Sequence, residues 1–228
     1  MNFHDLIKAW RGANLLSKAM DEFVEMLEAC LWMYQRAATS LWEETDVVEY
    51  KRAVREKDIQ VNKMERRIRK KIIEHLAIHP GSGASQSLVL MSVVKDAERL
   101  GDYAKNMVEV SEYHTTYKDD NELIPIFKAI QAEIEEMFCR VRRAFRESDE
   151  KEGHRIITDM TLVTRKCDRL VEKILDFEGL STRQAVCYAL LARYYKRFAA
   201  HLGNIGTSLV VPAHKLDYFD EDEGDRKG

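Results

Sequence analysis

Proline and glycine are scarce in this chain: three prolines and ten glycines among 228 residues. With 33% of the residues charged and 45% hydrophobic, so few breakers suit long amphipathic helices better than sheets. No stretch approaches the roughly 20 consecutive apolar residues of a membrane span, and the start, MNFHDLIKAWRG, lacks the apolar core of a targeting segment. The four cysteines, Cys30, Cys139, Cys167 and Cys187, lie far apart without a CxxC spacing. They read as small buried hydrophobes, which argues against a disulfide framework or a cysteine zinc site. A net charge of −3 shows neither a nucleic-acid footprint nor a strongly anionic tail, so no nucleic-acid partner is expected. Phosphate-loop motifs, nucleophile elbows and the Glu-x-x-His pairs of di-iron carboxylate oxidases are also missing. The expectation is a non-enzyme with no catalytic residues, cytoplasmic or peripheral at the inner face of the membrane.

What is present is helical periodicity. Phe23, Met26, Leu27, Cys30 and Tyr34 recur at helical spacing in a segment ending near Trp42. Asp46, with Glu49 three residues on, predicts a cap for a second helix reaching Ile78 on the stripe Val54, Val61, Ile68 and Ile72. HPGSGAS reads as a turn, and a third helix covers about Gln86 to His114. After KDDNE the pattern recurs: Leu123 to Arg146, with Pro125 in the first turn, then a helix to about Phe177. A last helix runs from about Arg183 to Val211, where Pro212 is expected to stop it. The polar, acidic end reads as disordered.

Six helices in two sets of three invite comparison of the halves. At a shift of 98 residues, Arg99 meets Arg197, Gly101 meets Ala199 and Asn106 meets Asn204. Short loops make neighbouring helices antiparallel. The expected fold is all-α, two tandem three-helix bundles at 13–117 and 118–213, followed by a tail at 214–228.

Helix residues four apart share a face, so Glu98, Asp102 and Asn106 form one polar stripe beside a core stripe of Val94, Ala97, Ala104 and Met107. Asp58, Asn62 and Glu65 form a second on the preceding helix. If the two face each other, four carboxylates and two amides converge, a hard-oxygen environment for Mg, Ca, Mn or Fe. The plainer alternative is a solvated charge face in which Lys95, Arg99 and Lys105 neutralise the acids. An interior glycine at Gly101 costs about 1 kcal/mol relative to alanine, and Ala199 in the repeat favours close packing as its reason.

DAERLGDYAKNM resembles the signature helix of PhoU domains in Glu98, Arg99, Gly101, Asp102, Ala104 and Asn106, and VREKDIQVNKMERRI resembles that family's second helix. The family is built from tandem three-helix bundles and regulates phosphate uptake and phosphate-starvation signalling. The resemblance implies contact with the phosphate ABC transporter's ATPase and a sensor histidine kinase, and a homodimer. It also implies a metal site at Glu98 and Asp102, supported by Asp58, Asn62 and Glu65, holding Fe or Zn as a multinuclear cluster, with Mg or Mn the less favoured ions.

The second half departs from that pattern. Lys196 stands for Glu98 and Ala200 for Asp102, so no metal is expected there. His201 beside the lost site reads as a packed or solvent-facing histidine. SQSLVL, entering the signature helix, also lacks the family's usual charges. The competing expectation is a helical adaptor, or a regulator of another transporter, that has lost metal binding. Trp10, Trp32 and Trp42 are then candidate anchors, each more often core than interface. The N-terminal FHDLIKAW is a weak membrane candidate.

Overall fold

The computed structural model describes residues 14–211 and 216. The expectations attached to FHDLIKAW and Trp10, to Pro212 and to the acidic tail lie outside the described residues, Leu216 excepted. Six α-helices account for most of the described residues: α1 Asn14–Trp42, α2 Val47–Ile78, α3 Ala84–Tyr113, α4 Leu123–Glu147, α5 Glu150–Asp176 and α6 Thr182–Thr207. A 3-10 turn, Thr116–Lys118, joins the halves, and no strand occurs among the described residues.

Local chemistry places the boundaries. Asp46 is extended and accepts hydrogen bonds from the Val48 and Glu49 amides, satisfying two of the donors a helix start leaves unpaired. Asp149 does the same for α5 through the Glu152 amide, directly after Ser148 takes a left-handed conformation (φ 57°) to end α4. Ser181 and Gln184 close a reciprocal capping box at α6. The apolar stripes then define the interior. Phe23, Met26, Leu27, Cys30 and Tyr34 of α1 are buried, as are Val54, Val61, Ile68 and Ile72 of α2 and Val94, Ala97, Ala104 and Met107 of α3. Each large side chain removed from water in this way contributes about 1.5–3 kcal/mol.

Within each half the second helix is the outer one. α2 packs against α1 and α3, α5 against α4 and α6, while α1 meets α4 and α3 meets α6 across the middle. Aromatics fill that seam: Phe23 on Phe145, Trp42 on Phe127, Tyr34 on Phe138 and Phe198. The α3–α6 crossing preserves the internal repeat. Asp96 pairs with His201 (2.7 Å) and Tyr103 lies 6.1 Å from Tyr194 between ring centroids. The shift of 98 residues that carries Asp96 to Tyr194 also carries Tyr103 to His201, so the crossing is pseudo-twofold. Asn204 adds a bond to Asp96 (3.1 Å), and His201 stacks on Tyr103; His201 is thus a packed residue. The connection between the halves is pinned by Asp119, which accepts from Tyr188 Oη and Gln184 Nε2 and sits 2.6 Å from His114 Nε2.

Two sequence expectations change, the end of α6 and the burial of Cys139, while the tryptophans follow the core reading. α6 ends at Thr207, not Val211; Ser208 to Val210 form turns, and the Val210 and Leu209 side chains press against Gly153 of α5. Their apolar character serves that packing rather than another helical turn. Cys139 is exposed, whereas the other three cysteines are buried. Trp32 and Trp42 are partly buried against the core, Trp42 donating its indole N–H to Gln131 and Trp32 lying under Arg36 and Lys57. Neither is a free anchor.

Candidate functional site

The two polar stripes do meet along the α2–α3 seam. Lys51 of α2 pairs with Glu112 of α3 at 2.5 Å, and Asp58 pairs with Lys105 at 2.9 Å. Both helices have advanced seven residues in opposite directions between these rungs, the spacing of an antiparallel coiled pair. One more step of seven puts Glu65 level with Glu98, two acids on one rung.

The middle rung is already neutralised. Lys105 Nζ lies 2.9 Å from Asp58 Oδ2 and 2.8 Å from Asp102 Oδ1, so one ammonium bridges both carboxylates. Arg99 holds the other Asp102 oxygen at 2.9 Å, and Asn62 Nδ2 donates to Asp58 Oδ2 at 3.2 Å. Burial alone would raise the Asp102 pKa, but hydrogen bonds and charge from Lys105 and Arg99 outweigh it and hold the carboxyl below its ordinary value. Burial works against the Lys105 ammonium, and Asp102 and Asp58 together push its pKa up regardless. This is the neutralisation the flanking cations suggested in the sequence. Arg55, Asp58, Arg99, Asp102, Lys105 and Asn106 line an open groove of about 700 Å³ here.

The acid rung is less satisfied. Glu98 Oε2 has Lys95 at 3.3 Å and Arg99 at 3.7 Å, and Glu65 Oε1 has Arg69 at 2.9 Å, yet neither buried oxygen makes a hydrogen bond. Asp58 Oδ1 is a third such oxygen, facing Gly101. Cys30 of α1 lies beneath: its Sγ donates to Ala97 O at 3.2 Å. Burial first, and then the charges of Asp58 and Glu98, push its thiol far above the usual range. A methyl group built on Gly101 would meet Asp58 Oδ1, Met33 and Val61 at 3.6 Å, ordinary contact. The position is buried, but the close approach expected of it has room for alanine, as its counterpart Ala199 already indicates.

The second half answers the same geometry with a fixed cation. Asp168 follows Glu65 by 103 residues and Lys196 follows Glu98 by 98, and the two form an ion pair at 2.6 Å. The pair makes Asp168, rather than the adjacent Cys167, the counterpart of Glu65.

For a metal, the donors divide accordingly. Asp58 and Asp102 are spoken for by Lys105, and no group of three or more His, Cys, Asp or Glu suited to a metal ion occurs among the described residues. Such a set does not fit a multinuclear iron or zinc cluster. Glu65 and Glu98, whose buried oxygens are ion-paired but make no hydrogen bond, are a donor set of the size one hydrated hard cation needs, since it takes only one or two carboxylates and keeps its waters.

The fold defines a class: all-α proteins of tandem three-helix bundles. Residues 23–111 match the family model for the PhoU domain. The chain also superposes on the phosphate transport system regulatory protein PhoU from Streptococcus pneumoniae at 18% identity and a TM-score of 0.74, covering 89% of this chain and 95% of that one. PhoU from Pseudomonas aeruginosa superposes at 18% identity and a TM-score of 0.75, with 86% and 95% covered. A comparison with curated protein sequences gives no match. The chain therefore contains a PhoU domain in its first half and has the fold of PhoU proteins over both halves.

Proposed function

We propose that this protein is a non-catalytic regulator of phosphate transport that acts by protein–protein contact. The observation that carries the reading is the PhoU domain at 23–111 within a chain that shares its whole fold with a phosphate transport system regulatory protein. The partners implied are the ATPase of a phosphate ABC transporter and a sensor histidine kinase, engaged by a homodimer on the cytoplasmic side of the membrane. No helix among the described residues is long and apolar enough to cross a membrane. Co-expression with the transporter's ATPase subunit tests this: a complex that survives purification is expected, together with unrestrained phosphate uptake in cells lacking the protein. Normal uptake control in such cells, with no ATPase complex, refutes the regulatory reading.

The seam adds a second element. Glu65 and Glu98 would hold a single hydrated divalent cation, Mg or Mn in preference to an iron or zinc cluster, with Asp58, Asn62 and Asp102 as surrounding polar groups. The ion would supply positive charge to a rung of two acids. The competing reading, an adaptor that works without metal, is favoured by Lys105 and Lys196, each an ammonium placed among seam carboxylates. Elemental analysis of protein purified without chelator separates the two. One equivalent of divalent ion that disappears in Glu65→Gln and Glu98→Gln supports the site, and none after reconstitution leaves the adaptor.

A further inference from the structure

The outward face of α2 carries a charge pattern that the bundle does not require. At 3.6 residues per turn, Arg52, Arg55, Lys63, Arg66 and Lys70 all fall within about 40° of the helix line through Ile59, and no Asp or Glu does. All five are exposed. Four have no ion pair among the described residues, and Lys70 has only a long one, 3.7 Å, to Glu74. The basic residues that serve packing sit elsewhere on the helix: Arg67 and Lys71 both hold Glu22 of α1. On the outward line Val48, Ile59 and Ile73 are 76%, 53% and 61% exposed. The result is a straight strip about 38 Å long from Val48 to Ile73, basic throughout, with single aliphatic side chains set between the charges.

Most of the strip recurs in α5, with Thr158 in place of Arg55 and Asp176 in place of Ile73. Arg155, Leu162, Lys166, Arg169 and Lys173 follow Arg52, Ile59, Lys63, Arg66 and Lys70 by the 103 residues that also relate Asp168 to Glu65. Leu162 is 50% exposed. The seam has diverged meanwhile: Asp58 gives way to Thr161 at the 103-residue interval and Glu98 to Lys196 at the 98-residue one. A pattern retained on the exposed side while the seam changed is not explained by core packing.

We propose that the outward face of α2 is a docking surface for an anionic phospholipid bilayer, with the α5 strip as a second, weaker copy. In α5, Lys166 and Arg155 are partly committed to Glu133 and Glu152. Charge complementarity selects an acidic partner, and the spacing of the apolar groups selects a bilayer over an acidic protein. Protein interfaces concentrate their energy in a clustered, desolvated anchor, whereas Ile59, at the edge of the Arg55–Lys105 groove, and Ile73 stand about 21 Å apart along the helix. A bilayer accepts that layout: Lys and Arg reach the headgroups while isolated aliphatic side chains enter the acyl boundary. A nucleic acid would gain nothing from the exposed aliphatics. The proposal stands independently of the transport reading.

The test is sedimentation of the full chain with vesicles of phosphatidylcholine alone, or with about one-third phosphatidylglycerol. Binding is expected to the anionic vesicles only, and to weaken as salt shortens the Debye length from its value of about 10 Å at 0.1 M. Each basic residue near an anionic surface is worth about 5-fold in partitioning, so Lys63→Gln with Arg66→Gln should lower it on the order of 25-fold. Arg143→Gln with Arg146→Gln changes net charge equally on the exposed side of α4 and should leave binding within a factor of about 2, because it lies off the strip. Circular dichroism confirms that each variant stays helical. No binding to anionic vesicles at low salt overturns the proposal and passes the strip to an acidic protein partner. Equal losses in both double variants overturn it too, since net charge would then explain the effect.

Discussion

Replacing Lys105 by methionine tests the central claim about the seam, that a side-chain ammonium occupies the cation position between Asp58 and Asp102. The substitution keeps an unbranched side chain only one atom shorter while removing one charge. Lys105 and Asp102 are each 27% exposed and Asp58 only 11%. The site therefore lies between an exposed ion pair, worth about 0.2–1 kcal/mol, and a buried one, whose truncation costs about 3–5 kcal/mol. Asp102 keeps Arg99, so most of the loss falls on Asp58, and about 2 kcal/mol is expected in total. In a chain of this size that lowers Tm by about 4–8 °C. The pH dependence has a definite sign. Asp102 is held below its ordinary 3.8, so its contribution is present above that pH and is lost as acid titrates the folded carboxyl. Lys105 is held above its ordinary 10.5, so its share is present below that pH and is lost in stronger base. The wild type should therefore exceed the variant most between about pH 5 and 9 and converge with it in acid. The decisive arm adds divalent cation. With the ammonium gone, Asp58 and Asp102 become available ligands, and a cation at about 30 times its Kd restores about 2 kcal/mol. Thermal melts of both proteins with and without Mn or Mg read this directly. A variant as stable as wild type, or one that no divalent ion rescues, refutes the idea that Lys105 stands in for a metal.

Other substitutions probe the packing around that seam. Gly101→Ala should be tolerated and stabilise by about 0.5–1 kcal/mol, since a methyl group meets only ordinary contacts and the helix gains propensity; a loss above about 1 kcal/mol in urea titration would show that the α2–α3 approach is tighter. Gly206→Ala should cost about 1–3 kcal/mol, because the new methyl would lie 2.7 Å from Ile156 Cγ2 and 3.1 Å from its Cβ, forcing α5 and α6 apart. Arg140→Met strands Glu152, a buried carboxylate otherwise left with Arg155, and should cost about 2–3 kcal/mol near neutral pH. Glu152 is held below its ordinary 4.5 despite its burial, through hydrogen bonds from Arg140 and Arg155. That deficit is therefore expected to shrink as pH falls below 4.5, and a constant deficit down to acid would contradict it. A thiol reagent at neutral pH should label Cys139 rapidly and leave Cys30 and Cys167 protected, the Cys167 thiol being pushed up to about 12 by burial; fast reaction at two or more sites would mean that the helices open.

Helix identity was legible because the apolar stripes repeat without interruption and the breakers are few. α2 could be bounded from Asp46 and the HPGSGAS turn, since caps act through side chains adjacent in sequence. The end of α6 could not, because LVV continues the helical period while its side chains answer to Gly153, far away in sequence. The same division governs the site. Asp58, Asn62, Glu98 and Asp102 were recognisable as stripes, and Lys105 as a candidate neutraliser, from spacing of three and four. Which carboxylates Lys105 bridges depends on the register between α2 and α3, a property of two helices packing that neither sequence segment contains alone. Cys139 was misread for a related reason: residue type favours burial for cysteine, but only its angle on α4 decides.

The two halves give the seam its meaning. In one, an acid rung, Glu65 with Glu98, retains oxygens without hydrogen bonds. In the other, the equivalent rung is Asp168 with Lys196, closed internally at 2.6 Å. A buried carboxylate oxygen left unpaired costs about 1–3 kcal/mol, and α6 shows that a single lysine removes that cost within the same backbone. Lys105 does so one rung away in the first half. Since the fold supplies a bridging lysine twice, the Glu65–Glu98 rung, held among the described residues only by Arg69 and by Lys95 and Arg99 from its own helices, is not a constraint of helix packing.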